Sequence, residues 1–194
     1  MLPAPDRDAR YAAALVKAPI RIFAVLGGLI AAALIVWVAL DSGDSKGDEG
    51  GGTQGGEAEI VSVASLRKAA ATQHTPIYWA GLTAGSELEL SQPSVDRTYV
   101  RYLPSGVEAG DPRPFLTVGS YHFEDPTGAL HSRGSQPGGV LAAAPGNGVV
   151  YFDRSEPKSV YLAYPDTEVE IEVFAPEFKE ALQLVTDGRI VPVE

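Results

Sequence analysis

Residues 168–174 read EVEIEVF, and this stretch decides the fold class. Val169, Ile171 and Val173 alternate with Glu168, Glu170 and Glu172, the period-two signature of a strand with one face buried and the other in water. Working outward, similar short segments occupy 77–80, 86–91, 98–103, 116–123, 140–143, 149–153 and 159–164, each rich in β-branched or aromatic residues and bounded by turn formers. Gly146-Asn147-Gly148 lies between two apolar runs and marks a hairpin. A helix is expected near 62–72, where Leu66, Ala69 and Ala70 share a face. A second should start at Pro176, carry Phe178, Ala181, Leu182 and Val185 on one side, and stop at Gly188. Residues 189–193 could return as an edge strand. The expectation is an α+β fold, mainly an antiparallel sheet with a helix near each end of the domain. Two helices would cover one sheet face and leave much of the other for solvent or a partner.

Upstream the composition changes twice. Residues 22–40, IFAVLGGLIAAALIVWVAL, hold no charged side chain and would span about 28 Å as a helix, close to a bilayer core. Arg7, Arg10, Lys17 and Arg21 precede this run, whereas only Lys46 follows it closely. The positive-inside rule then gives a cytoplasmic tail at 1–21, a transmembrane signal-anchor at 22–40 in contact with membrane lipid, and a C-terminal domain outside the cell membrane. A cleavable signal peptide fits less well, because the run is long and its exit, VALDS, lacks small residues at A-x-A spacing. Ala24, Gly28 and Ala32 recur every four residues and form a candidate self-association face. Residues 41–58, DSGDSKGDEGGGTQGGEA, contain seven glycines and five acids and read as a flexible linker. The extracytoplasmic α+β domain is assigned to 59–194.

Charge and composition exclude several classes of function. The chain carries 15 Lys+Arg against 25 Asp+Glu, a formal charge of −10, so nucleic acid is not an expected partner. It has no cysteine, which removes disulfides, thiol nucleophiles and thiolate metal sites. There is no G-x-S-x-G elbow, S-x-x-K motif, Walker A loop or G-x-G-x-x-G fingerprint, and no cofactor is expected. His122 and Glu124 would share a strand face, and His131 could fold back to complete a three-ligand metal site, although the spacing matches no zinc motif. That site, or a carboxylate pair, defines the alternative reading of a cell-envelope hydrolase.

Two loops stand out. Residues 104–114, PSGVEAGDPRP, are stiffened by three prolines, and with the neighbouring Arg101 they offer Arg101, Asp111 and Arg113 as candidate partner-binding residues. Residues 125–139 contain four glycines and read as a long loop, either functional or disordered, with disorder the favoured reading. Tyr78, Trp79, Tyr99, Tyr102, Tyr161 and Tyr164 lie on strand candidates, where core packing is the ordinary role of such rings.

Tyr78-Trp79-Ala80-Gly81, Tyr99-Val100-Arg101-Tyr102-Leu103-Pro104, Gly110-Asp111-Pro112-Arg113-Pro114 with the following Phe115–Tyr121 stretch, and Val160-Tyr161-Leu162-Ala163-Tyr164-Pro165 occur in one order. Over roughly 60–194 this series resembles a group of uncharacterised, single-pass, membrane-anchored proteins of actinobacteria. The resemblance implies a bacterial cell envelope and carries no activity or site residue. Together these readings give a membrane-anchored, non-catalytic binding module whose partner is an envelope protein or glycan.

Overall fold

The computed structural model describes residues 56–194. The 22–40 span, its Ala24/Gly28/Ala32 face and most of the 41–58 linker lie outside the described residues. In chain order the elements are β1 Gly56–Val61, α1 Val63–Thr72, β2 Tyr78–Trp79, β3 Ser86–Ser94, β4 Arg97–Pro104, β5 Thr117–His122, α2 Pro126–Gly134, β6 Gly139–Ala144, β7 Gly148–Asp153, β8 Ser159–Ala163, β9 Val169–Phe174, α3 Phe178–Thr186 and β10 Val191–Pro192. Eight strands form one antiparallel sheet in the order β1-β3-β4-β5-β9-β8-β7-β6, and β10 pairs with β2 in a separate ribbon. The expected α+β class with a large antiparallel sheet is therefore observed.

The register explains the inner face. Val173, Ile171 and Val169 of β9 stand opposite Val118, Ser120 and His122 of β5 and beside Val160 and Leu162 of β8. Since paired residues in an antiparallel ladder share a face, Val118, Val160, Leu162 and the three β9 residues build an apolar layer, in which the Ser120 hydroxyl accepts the Tyr78 N–H at 2.9 Å and His122 lies exposed at one end. Leu66 of α1 and Ala181, Leu184 and Val185 of α3 close over it in one core, with Ile77, Tyr78 and Ile190 from the ribbon segment. α1 starts where the Ser62 hydroxyl accepts the Ser65 N–H at 3.1 Å. α3 stops at Gly188, whose φ of 69° is the left-handed turn that favours glycine. The Gly146-Asn147 turn joins β6 to β7 as expected, with both residues at positive φ.

The outer face differs from the sequence reading. Glu170 and Glu172 were expected to be wet, but they are 8 % and 9 % exposed. The cover is α2, which occupies the segment read as a disordered loop. Asp125 caps it by accepting the Gly128 N–H at 2.9 Å, and Pro126 fits the first turn, where a missing N–H costs nothing. Leu130 of α2 is fully buried against Tyr161 and Ala163, with Val149 and Tyr151 alongside. The sheet is thus covered on both faces across β7–β9. A further strand absent from the sequence reading, β1, begins inside the segment assigned to the linker and pairs with β3.

Candidate functional site

The candidate partner-binding residues meet on the outer face over β3 and β4. Glu89 and Arg101 are register partners, so their side chains emerge side by side and form a 2.7 Å ion pair. Both are buried, at 1 % and 8 % exposure. The other Arg101 nitrogen donates to the backbone oxygens of Asp111 (2.7 Å) and Arg113 (3.0 Å). The second Glu89 oxygen accepts the Gly110 N–H at 2.6 Å. One charge pair therefore grips the 104–114 loop through three backbone groups and is covered by the loop it holds.

Above this clamp the loop presents a second pair. Arg113 donates from Nε and Nη2 to the two Asp111 oxygens at 2.9 and 2.8 Å, and its own backbone N–H reaches Oδ1 at 2.9 Å. The Arg113 side chain is 62 % exposed. The bidentate bond to Arg113 holds the Asp111 carboxyl down at about 2. The Arg101 and Arg113 guanidinium carbons both lie over the Phe115 ring, 5.5 and 5.3 Å from its centre. The structure thus brings all three candidates together but divides their duties: Arg101 lies beneath the loop, and Asp111 and Arg113 form its face.

A second polar cluster occupies the same sheet face under α2. Glu172 accepts the Tyr121 hydroxyl at 2.6 Å and the Tyr161 hydroxyl at 3.3 Å. Arg133 of α2 pairs with Glu170 and stacks its guanidinium over Tyr161 and Tyr151, 4.8 and 5.2 Å from the ring centres. Burial pushes the Glu170 carboxyl up, with Arg133 opposing. Burial, reinforced by the Glu172 charge, raises Tyr121 and Tyr161, so both remain hydrogen-bond donors at neutral pH. Tyr121 reaches Glu172 by lying across Gly119, where an added Cβ would sit 2.7 Å from its hydroxyl. Tyr99 packs edge-on against Tyr121, and among the described residues its buried hydroxyl has no hydrogen-bond partner. The two neighbouring carboxylates are engaged in fastening α2 and the tyrosines to the sheet.

The metal constellation does not assemble. His122, Glu124 and His131 are all exposed, and among the described residues no three His, Asp or Glu side chains come together as metal ligands. The physical reason is α2: its Asp125 cap starts a helix that carries His131 away, where a loop would have folded back. The aromatic residues split by face. Tyr78 stacks on Tyr164 at 6.2 Å, and the Tyr102 hydroxyl accepts the Ala80 N–H at 2.6 Å within the inner layer. Sequence reasoning missed Glu89, Tyr121, Arg133 and Glu172; the usable signal was the Asp125-Pro126 cap, which announces a helix able to bury its neighbours.

No family model, no curated protein and no solved structure matches this chain. Among the described residues no helix is long and apolar enough to cross a membrane.

Proposed function

We propose that this chain is a non-catalytic binding module of a bacterial cell envelope, anchored by 22–40 and presenting its domain outside the membrane. Its recognition surface is the outer side of the 104–114 loop. The observation that supports this reading is the buried Glu89–Arg101 clamp, which fixes three backbone groups of an otherwise exposed loop. A loop held in one shape before binding loses less conformational freedom when it docks. The Asp111–Arg113 fork offers a paired acceptor and donor, suited to a polar protein surface or a glycan. The resemblance to actinobacterial anchored proteins and the apolar 22–40 run support the setting.

The test places a photo-cross-linking residue at Glu108 of the full-length protein in cells. One recurring adduct is expected, and it should be lost when Asp111 and Arg113 are both replaced by Ala. An adduct pattern unaffected by that double substitution would remove the loop as the binding surface. Arg101 is left intact in this test, because its replacement would disturb the loop from within.

A further inference from the structure

One end of the main sheet carries apolar side chains that the core does not use. Val95, at the tip of the β3–β4 hairpin, is 74 % exposed, and Phe123, just past β5, is 44 % exposed. Neither belongs to either apolar cluster. The backbone brings their segments together, because the His122 N–H donates to the Asp96 carbonyl at 3.0 Å. Hairpin tips are ordinarily built from polar residues and glycine, and Val95 is not at positive φ, so turn geometry does not call for valine here.

The chain enters the domain at this same end. Gly56, the first described residue, pairs with Gln92, three residues before Val95. Residues 41–55 separate Gly56 from the end of the apolar run at Leu40. A Gly-rich stretch of that length spans about 19–23 Å. An anchor at 22–40 would therefore hold the Val95 end of the sheet within that distance of the bilayer.

We infer that the Val95–Phe123 end of the sheet rests on the lipid surface that holds 22–40, which turns the 104–114 loop away from the membrane. The inference rests on the anchored reading proposed above and adds an orientation to it. β4 runs from Arg97 at the lipid end to Pro104 at the start of the loop, about 24 Å by strand rise. Two side chains alone make a weak contact with lipid. The tether keeps them at high effective concentration beside the surface, so a weak contact is enough to set the domain's orientation. Asp96, Glu124 and Glu168 stand exposed at this end, so the contact is apolar and not an attraction to anionic headgroups. Leu82 supplies the comparison. It is 69 % exposed but lies at the loop end, in the segment leading to Gly85, whose carbonyl accepts the Ser105 N–H at 3.2 Å.

The chain has no cysteine, so Val95→Cys, Phe123→Cys and Leu82→Cys variants of the full-length protein can each carry one environment-sensitive fluorophore. All three are reconstituted into phosphatidylcholine vesicles containing a spin-labelled lipid. Labels at 95 and 123 should be quenched by that lipid, and the label at 82 should stay in water. Adding Phe123→Asp to the Val95→Cys variant should abolish the quenching at 95. Protein that fails to float with the vesicles overturns the anchored reading and the docking with it. Protein that floats, with 95 and 123 quenched no more than 82, overturns the docking alone. So does a label at 95 that is shielded from iodide in the water yet untouched by the lipid quencher, which would identify a protein cover.

Discussion

Replacing Arg101 by Met removes the charged head from a site where Glu89 is 1 % exposed. The Glu89 carboxylate would lose its 2.7 Å partner and keep only the Gly110 N–H, while the Asp111 and Arg113 carbonyls would lose their shared donor. Leaving one member of a buried pair alone costs about 3–5 kcal/mol. For a domain of this size that corresponds to a fall in melting temperature of roughly 10–20 °C, taking about 3–4 °C per kcal/mol. The companion variant Glu89→Met/Arg101→Met removes both charges and should recover most of the loss, since an apolar pair of similar volume is often as stable as the ions it replaces. Circular dichroism melts and urea titrations of the two variants measure the difference. Hydrogen exchange supplies the second readout: the Gly110 amide, without an acceptor in the double variant, should exchange faster although global stability has returned. A single variant costing under about 1 kcal/mol would refute the buried-clamp reasoning, because that is the scale of an exposed pair. A double variant no better than the single one would show that packing of the Arg101 stem, and not the stranded charge, carries the energy.

Two further outcomes follow from the α2 side. Gly119→Ala should cost about 1–3 kcal/mol, because the new Cβ displaces Tyr121 from Glu172, but the same change in a Tyr121→Ala background should be near neutral; additive losses in a double-mutant cycle would show that Tyr121 is not what the methyl meets. The Glu170 carboxyl, raised by burial, should titrate above the ordinary glutamate midpoint of 4.5 when followed by NMR, and Arg133→Met should move it higher by removing the opposing charge. A raised folded-state value means that the native protein holds the proton more tightly than the unfolded chain, so this group's contribution to stability grows as pH falls through that window; Glu170→Gln should remove that part of the pH slope, and an unchanged slope would discount it.

The parts of the fold legible in the sequence were those fixed by local chemistry. Val169, Ile171 and Val173 specify the inner stripe, Gly146-Asn147 the hairpin, and Phe178, Ala181 and Val185 with Gly188 the last helix. Alternation, however, reports which face a side chain takes and not whether water reaches it. Glu170 and Glu172 occupy the predicted face, yet they are dry because Arg133 and Tyr121 arrive from 37 and 51 residues away. No periodicity within β9 encodes those partners. The four glycines of 125–139 lower helix propensity, and that signal outweighed the single Asp125-Pro126 cap. Arg101 shows the same limit from another side. Between Val100 and Tyr102 it takes the outer face, but the cover over that face is the next loop in the chain, whose path depends on the clamp itself.

The two sheet faces therefore hold different things. The inner face joins α1, α3 and the β2–β10 ribbon in one apolar core, and it carries the fold. The outer face fastens one loop and one helix with separate polar clusters, Glu89–Arg101 and Glu170–Arg133 with the tyrosines. Such local fastening lets the loop be loosened or reshaped without dismantling the core, which suits a surface whose contacts are set by loop sequence.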